Sequence, residues 1–160
     1  MIRKKILLIG DFGVGKTSLI RRYVDDTFDD TYLTTIGVKI SKKQLEINER
    51  ICELLIWDIE GATPIKRIPH SYFKGASGAV FVCDVDRHET IESLNEHINT
   101  FLMLNHDARY VIAYNKADLL TTEQTEALRV TLPGNAFLTS ARSGSNVTKL
   151  FTMLAQEISG

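Results

Sequence analysis

The sequence has few of the features that mark secreted, membrane-spanning or nucleic-acid-binding proteins. Its two cysteines, Cys52 and Cys83, each lie inside an apolar run, so we expect buried thiols in a reducing compartment rather than a disulfide framework. No apolar run approaches the roughly 20 residues that a membrane-spanning helix needs, and no signal-peptide cleavage pattern precedes the first strand-length run. The formal net charge of -1 argues against a strongly basic nucleic-acid binder. These absences favour a cytoplasmic protein that does not bind nucleic acid.

What the chain does have is the length and patterning of one α/β domain spanning residues 1–160. Short apolar runs alternate with segments of helical periodicity, which favours a mostly parallel sheet with helices on both faces. Two irregular stretches, 25–35 and 59–71, are expected to be loops, and loops of that length are usually functional or disordered. We predict strands at 6–9, 38–47, 50–57, 79–83 and 110–114, and helices at 16–24, 91–102 and 147–158.

Residues 10–17 have the sequence GDFGVGKT, which fits the phosphate-loop pattern G-x-x-x-x-G-K-[ST] between a predicted strand and a predicted helix. Glycines let the backbone fold around a phosphate chain, so that N–H groups and the helix N-terminus point at negative oxygens. Lys16 adds a positive charge for the β and γ phosphates, and the Thr17 hydroxyl is a ligand for Mg²⁺. The alternative, a glycine-rich turn before a helix, leaves the lysine and the threonine unexplained.

Two further segments carry oxygen ligands for the same metal. Asp58 ends an apolar strand, and the sequence DIEG supplies its carboxylate for Mg²⁺ followed by Gly61, which is able to approach the γ-phosphate. Thr35 lies in the first long loop, from which its hydroxyl is expected to reach the metal when a γ-phosphate is present. Taken alone, a D-x-x-G sequence and a loop threonine are weak signals.

Two segments in the C-terminal half are suited to recognising guanine. Residues 115–118, NKAD, follow a buried strand, and the Asp118 carboxylate is able to accept hydrogen bonds from N1–H and the 2-amino group of guanine. Adenine lacks both donors, so this pairing selects guanine. Residues 140–142, SAR, follow the last strand and offer a backbone N–H to guanine O6. Either segment alone is compatible with surface decoration, whereas their order after the phosphate loop supports base recognition.

Together these motifs resemble the Ras superfamily along nearly the whole chain, and its Rab branch in particular. The matching segments are 10–17, 25–28 (DDTF), 35–38 (TIGV), 57–58 (WD), 71–75 (SYFKG), 115–118 and 139–141 (TSA). The resemblance implies a P-loop NTPase of the small G-domain type, with a six-stranded, mostly parallel sheet, one antiparallel strand and about five helices. It also implies two switch segments, near 28–38 and 59–74, whose order depends on the γ-phosphate.

The resemblance also assigns roles to single residues. Phe28 is expected to stack on the guanine, Lys116 to flank the other ring face, and Tyr32 to close over the phosphates. Mg²⁺ is expected to bind Thr17, Thr35 and Asp58. The expected nucleotide-contacting residues are Gly13, Val14, Gly15, Lys16, Thr17, Ser18, Phe28, Tyr32, Thr35, Asp58, Gly61, Asn115, Lys116, Asp118, Ser140, Ala141 and Arg142.

The expected catalytic groups are Lys16, Thr35 and Gly61, and the chain departs from the family pattern at residues close to them in the sequence. The residue after Gly61 is Ala62, where the family usually has a glutamine that orients the attacking water. A methyl group neither positions a water nor accepts its proton. Phe12 occupies the place beside the γ-phosphate where many relatives carry glycine or serine, and its ring is expected to obstruct an arginine finger. We therefore expect slow intrinsic hydrolysis and poor activation by a partner's arginine.

Three functions remain open at this point. The leading one is a GTP- and GDP-binding switch with GTPase activity. The alternative to slow hydrolysis in this switch is that the missing glutamine is replaced by Glu60, Thr63 or a side chain from a partner. The second is a scaffold that holds GTP almost permanently, which Phe12 and Ala62 favour. The third, a P-loop kinase or ATPase, leaves residues 115–118 unexplained.

The expected partners are effector proteins at segments 28–38 and 59–74, an exchange factor and a GTPase-activating protein, with the chain itself a monomer. The four histidines, His70, His88, His97 and His106, are expected at the surface or at helix caps rather than as metal ligands. A Rab-like chain normally carries a prenylated tail, whereas this sequence ends directly after its last predicted helix. Either a tail has been removed, which would allow peripheral membrane association, or the protein works without a lipid anchor.

Overall fold

The structure is a computed structural model that describes residues 1–24, 32–33, 38–59 and 68–159. The strands are β1 (Ile2–Ile9), β2 (Tyr32–Leu33), β3 (Lys39–Ile47), β4 (Arg50–Asp58), β5 (Ala76–Asp84), β6 (Arg109–Asn115) and β7 (Ala136–Leu138). The helices are α1 (Lys16–Val24), α2 (His70–Phe73), α3 (His88–Glu92), α4 (Leu94–Leu104), α5 (Thr122–Arg129) and α6 (Val147–Ser159), with a 3-10 helix at Ala117–Leu119.

Within the described ranges, the strands form one sheet in the order β2-β3-β4-β1-β5-β6-β7. β1 pairs in parallel with β4 and β5, and the parallel pairing continues through β6 to β7. β3 pairs antiparallel with β4 in a hairpin. The expected mostly parallel sheet with one antiparallel strand is therefore confirmed in its six longer strands. The two-residue β2 adds an edge to β3 inside the stretch that the sequence marks as a loop.

The sheet is covered on both faces because its central strands bury side chains in both directions. In β1, Ile6 and Leu8 pack into one apolar cluster with α1 and α6, while Leu7 and Ile9 pack into a second cluster with Phe73 and Phe101 from α2 and α4. β5 is buried along most of its length. The free Cys52 and Cys83 are both buried, as expected.

Four of the five predicted strands, β1, β4, β5 and β6, are longer than predicted because their ladders extend beyond the apolar core, whereas β3 begins one residue later than predicted. β1 begins at Ile2, and its polar Arg3 and Lys4 still pair with Glu53 and Leu54 of β4. Helix α1 has the predicted bounds, and its Tyr23 ring stacks on Phe151 of α6 at 4.1 Å between ring centroids. None of the helices in the described ranges is long and apolar enough to cross a membrane.

The parallel strands place their carboxyl ends at one edge of the sheet. β1 leads there into the phosphate loop, β4 ends at Asp58, β5 at Asp84 and β6 at Asn115, and Thr139 directly follows β7. In open α/β sheets this edge is where ligands bind. β1 lies between β4 and β5, so the loop after β1 opens where chain connections diverge to the two sides of the sheet.

Candidate functional site

The phosphate loop between β1 and α1 is folded around the side chain of Lys16. Its Nζ donates hydrogen bonds to the backbone oxygens of Gly10 at 3.0 Å and Asp11 at 3.3 Å, and the residue is only 6% exposed. Gly13 and Gly15 have φ values of 78° and 100°, in the left-handed region that favours glycine. A Cβ on Gly15 would lie 2.4 Å from Asn115 Nδ2, so a side chain there would collide with the last residue of β6.

The two predicted metal ligands in the described ranges lie side by side. The Thr17 hydroxyl, at the start of α1, donates a hydrogen bond to Oδ2 of Asp58 at 2.6 Å. Asp58 is 8% exposed at the end of β4. A hydroxyl and a carboxylate oxygen are the ligand types that Mg²⁺ prefers, and Mg²⁺ usually takes its remaining ligands from water and substrate phosphates. The residues present therefore fit the ion that the sequence predicts.

Residues 115 and 116 join the base-recognition segment to the phosphate loop. Asn115 Nδ2 donates to the backbone oxygen of Val14 at 2.9 Å, and its Oδ1 accepts from the Thr139 hydroxyl at 3.2 Å. Lys116 Nζ donates to the backbone oxygen of Gly13 at 2.8 Å. It also lies 2.9 Å from Oδ2 of the buried Asp84. These contacts fix the spacing between the phosphate loop and the segment that follows β6.

The carboxylate of Asp118 is oriented by the other base-recognition segment. Ser140 donates its hydroxyl hydrogen to Asp118 Oδ1 at 2.8 Å, and its Oγ accepts from the backbone N–H of Ser143 at 3.1 Å. The adjacent pocket has a volume of about 400 Å³ and is lined by Gly15, Ser18, Asn115, Lys116, Asp118, Leu119, Ala141 and Arg142. It lies between the Asp118 carboxylate and the end of the phosphate loop that leads into α1.

An arginine that the sequence analysis did not select supports the far side of this pocket. Arg22, in the last turn of α1, donates from Nε to the backbone oxygen of Ala141 at 3.0 Å and from Nη2 to that of Arg142 at 2.6 Å. This clamp holds residues 140–142 against α1. Its only sequence signal is a basic residue near a helix end, which many helices share.

The structure brings together most of the predicted nucleotide site at the carboxyl edge of the sheet. The residues brought together are Gly13, Val14, Gly15, Lys16, Thr17, Ser18, Asp58, Asn115, Lys116, Asp118, Ser140, Ala141 and Arg142. Phe28, Glu60, Thr35, Gly61, Ala62 and Thr63 lie outside the described residues. Tyr32 contributes its backbone to β2, and its side chain lies outside the described part of the chain.

The expectation that all four histidines lie at the surface or at helix caps is wrong for His97. This residue lies within α4, is 9% exposed, and places Nε2 2.9 Å from Asp11 Oδ1 of the phosphate loop. Its Nδ1 is buried with no hydrogen-bond partner in the described ranges. The error arises because a histidine on a helix face gives no sign of an acidic partner that lies 86 residues away in the sequence.

The last two residues of β5, Cys83 and Asp84, are both buried. Asp84 is 2% exposed, and its carboxylate is paired with the ammonium group of Lys116. Burial, together with the neighbouring Asp84 charge, raises the pKa of the Cys83 thiol to about 12. The thiol is therefore neutral at physiological pH and is a packing group rather than a nucleophile.

Comparison with known proteins agrees with this geometry. The Ras family model matches residues 5–160. Ras-related protein SEC4 of Saccharomyces cerevisiae is 35% identical over 159 residues, which cover 96% of this chain and 74% of that protein. Ras-related protein Rab-13 of Rattus norvegicus is 35% identical over 161 residues, covering 96% of this chain and 79% of that protein. Ras-related protein Rab-1A of Dictyostelium discoideum is 34% identical with the same coverages, 96% and 79%. With the phosphate loop and the G-domain sheet already in place, these matches show that the chain belongs to the Ras family and is Rab-like.

Proposed function

We propose that residues 1–160 form one guanine-nucleotide-dependent switch that binds GTP or GDP with Mg²⁺, hydrolyses GTP slowly and recruits effector proteins in the GTP state. The observation that carries this proposal is the pocket of about 400 Å³ between the phosphate loop and Asp118. Asn115 and Lys116 tie both of its sides together, so a nucleotide's phosphates and base have fixed positions relative to each other.

Asp118 is the group that gives base selectivity in this proposal. Its carboxylate is already held by the Ser140 hydroxyl, which leaves a fixed acceptor in the lining of the pocket. Guanine offers two adjacent donors to such an acceptor. Adenine lacks both the N1–H and the 2-amino group, so it would leave the carboxylate desolvated without a partner at these positions, which is the situation that makes polar recognition highly selective.

In this proposal the nucleotide's phosphates are bound by the phosphate loop and by Lys16. Lys16 Nζ is held at the backbone oxygens of Gly10 and Asp11, where its charge is poised at the concave side of the loop. Mg²⁺, when bound, neutralises phosphate charge and orients the terminal phosphate. Thr17 and Asp58 are the described residues that would hold it, and Thr35 is the proposed third ligand.

Slow hydrolysis follows from two departures from the family pattern, at Ala62 and at Phe12. Ala62 provides no group to orient a water. Phe12 is 70% exposed in the phosphate loop, so its ring is available to obstruct a partner's arginine. Both departures act in the same direction, toward a long-lived GTP state.

Recruitment of partners is assigned to segments 28–38 and 59–74. Their described ends share one anchor, because Val38, Ile59 and Ile68 are each no more than 5% exposed and belong to the same apolar cluster. A change in one segment is thereby able to reach the other through packed side chains. The proposed partners of these segments are effectors, an exchange factor and a GTPase-activating protein. We place its action in the cytoplasm, with peripheral membrane association as the alternative.

A second function, a scaffold that keeps GTP bound without turnover, is favoured by the same Phe12 and Ala62. Single-turnover cleavage of bound GTP over several hours separates the two. Measurable release of phosphate supports the cycling switch, and GTP that persists supports the scaffold.

The proposed binding function is tested by competition. The purified chain is loaded with a fluorescent GDP analogue in Mg²⁺, and GDP, GTP, ADP and ATP are each used to displace it. Displacement by the guanine nucleotides at concentrations at least 100-fold below those of the adenine nucleotides is expected. Equal displacement by ADP or ATP would overturn the proposal.

A further inference from the structure

We propose that Arg87 acts as an arginine supplied by the chain itself to the terminal phosphate of bound GTP, in the place that a partner's arginine takes in other switches. This inference rests on the proposed function, since it assumes that GTP binds at the phosphate loop. Arginine fingers are known to work both from a partner and from within the same chain.

Arg87 reaches the phosphate loop from the turn between β5 and α3. Its Nη1 donates a hydrogen bond to the backbone oxygen of Phe12 at 2.8 Å. A Cβ built on Gly13 would lie 3.2 Å from the same nitrogen, so the guanidinium is in close contact with residues 12 and 13. Phe12 occupies the place beside the γ-phosphate in the sequence pattern, and Gly13 is an expected nucleotide-contacting residue.

The turn that carries Arg87 is held rigidly. The backbone N–H of Arg87 donates to the oxygen of Asp84 at 3.0 Å, and that of Thr90 donates to the oxygen of Arg87 at 3.0 Å. The Thr90 hydroxyl, on a residue that is 1% exposed, donates to the Arg87 oxygen at 2.7 Å and accepts from the Asp84 N–H at 2.9 Å. A buried side chain therefore fixes the backbone from which the arginine extends, which lowers the entropy lost when its guanidinium binds an anion.

The present partners of the guanidinium are ones that a phosphate is able to replace. Its Nε pairs with Glu89 Oε1 at 3.3 Å, but the Glu89 side chain is 68% exposed and an exposed pair contributes little. The Phe12 oxygen is a neutral acceptor. A phosphate oxygen gives a charge-assisted hydrogen bond, which is about twice as strong, and a guanidinium is able to make two of them. Lys116, by contrast, is paired with the buried Asp84.

Phe12 gives an independent reason for an internal arginine. Its ring is 70% exposed and is expected to obstruct an arginine from outside, whereas Arg87 belongs to the same chain and already contacts the backbone oxygen of this residue. In hydrolysis, the water oxygen bonds to the γ-phosphorus while the bond from that phosphorus to the β–γ bridging oxygen breaks. The products are GDP and inorganic phosphate, which takes up the protons of the water. Arg87 stabilises the negative charge on the γ-phosphate oxygens during this transfer.

The test compares Arg87→Ala and Arg87→Lys with Arg3→Ala, a matched control at the opposite end of β1, where Arg3 pairs with Glu53. Dissociation rates are measured for GDP and for a non-hydrolysable GTP analogue. A second readout is the binding of aluminium fluoride to the GDP-loaded chain without any partner, since this complex mimics the transferring phosphate. Thermal unfolding of every variant identifies loss of folding.

We expect Arg87→Ala to release the GTP analogue about 10-fold faster or more and GDP less than 2-fold faster, and to lose aluminium fluoride binding. The release rates of Arg87→Lys are expected to lie between those of Arg87→Ala and the wild type, because lysine keeps the charge but lacks the paired N–H donors of the guanidinium. Equal acceleration of both nucleotides would mean that Arg87 only supports the loop, and unchanged rates in both variants would mean that it makes no phosphate contact; either result overturns the inference alone. A wild-type chain that binds neither nucleotide would overturn the proposed function as well.

Discussion

The Thr17 hydroxyl donates a hydrogen bond to the Asp58 carboxylate across 2.6 Å, joining the first turn of α1 to the end of β4. These residues are 41 positions apart in the sequence, yet the parallel pairing of β1 with β4 brings them together. Leu8 pairs with Asp58 in this ladder, so the register of two strands sets the spacing of two oxygen ligands. The proposed Mg²⁺ site therefore lies at a position that the pairing of β1 with β4 determines.

Replacing Thr17 with alanine is expected to remove most of the effect of Mg²⁺ on nucleotide release. In Mg²⁺, Thr17→Ala should release GDP about 10-fold faster or more than the wild type, because the ion loses one of its ligands. In excess chelator the two proteins should release GDP at similar rates. Stopped-flow measurement with a fluorescent GDP analogue gives both rates.

Thr17→Ser keeps the hydroxyl and should behave like the wild type. Thr131→Ala removes an exposed hydroxyl whose only described partner is the backbone oxygen of Leu128, and serves as a control remote from the site. The same Mg²⁺ dependence in Thr17→Ala as in the wild type would contradict the assignment of this ligand.

Restoring a glutamine at position 62 is expected to speed hydrolysis. Ala62→Gln should raise the single-turnover rate of GTP cleavage roughly 10-fold or more, because the amide orients the attacking water. Ala62→Met, which has a side chain of similar length without the amide, should leave the rate near that of the wild type. Phosphate release after rapid addition of Mg²⁺ to the GTP-loaded chain measures both variants. If the glutamine and methionine variants cleave GTP equally fast, the missing side chain does not explain slow turnover.

Cys83 is expected to make the protein lose stability at alkaline pH. Its pKa is raised to about 12 by burial and by the adjacent Asp84, so the folded state favours the neutral thiol. This contribution is complete below the pKa of an unfolded thiol, about 8.5, and is lost as pH rises from there toward the folded value. Between pH 7 and 10 the free energy of unfolding should fall by about 1–2 kcal/mol more in the wild type than in Cys83→Ala.

Urea titrations of both proteins at the two pH values measure this difference. The cavity left by the substitution lowers stability at both pH values and cancels in the comparison. A wild type and a variant that lose the same free energy between the two pH values would show that the thiol is not held neutral by the fold.

Much of the fold and of the site could be predicted because the signals are local. The phosphate loop, the end of β4 and residues 115–118 are each encoded in a few consecutive residues, and each follows an apolar strand. Helix α1 has its predicted bounds because Leu19, Ile20, Tyr23 and Val24 repeat at helical spacing and are all buried. Once strands are parallel, their carboxyl ends must meet at one edge.

The features that were missed depend on contacts between distant residues or on weak local signals. Arg87 contacts Phe12 across 75 positions, and Arg22 contacts Ala141 across 119, so no local pattern marks either pair. Strand β2 is held by backbone pairing at an edge, which needs no apolar repeat. Helix α5 did carry a signal, because Thr121 and Gln124 form a capping box, but it buries no residue and therefore lacks an apolar stripe.

The most direct test is a substitution that should change the base preference of the pocket from guanine to xanthine. In Asp118→Asn, the amide keeps an acceptor for N1–H but replaces the second acceptor with a donor, which suits the 2-oxo group of xanthine in place of the 2-amino group of guanine. Asp107→Asn, an exposed position at the opposite end of β6, is the control. Affinities for GDP and xanthosine diphosphate are measured by displacement of fluorescent nucleotide. The account predicts that Asp118→Asn binds GDP about 100-fold more weakly or worse and prefers xanthosine diphosphate, while the control prefers GDP. Unchanged GDP preference in Asp118→Asn would contradict the claim that this pocket recognises guanine.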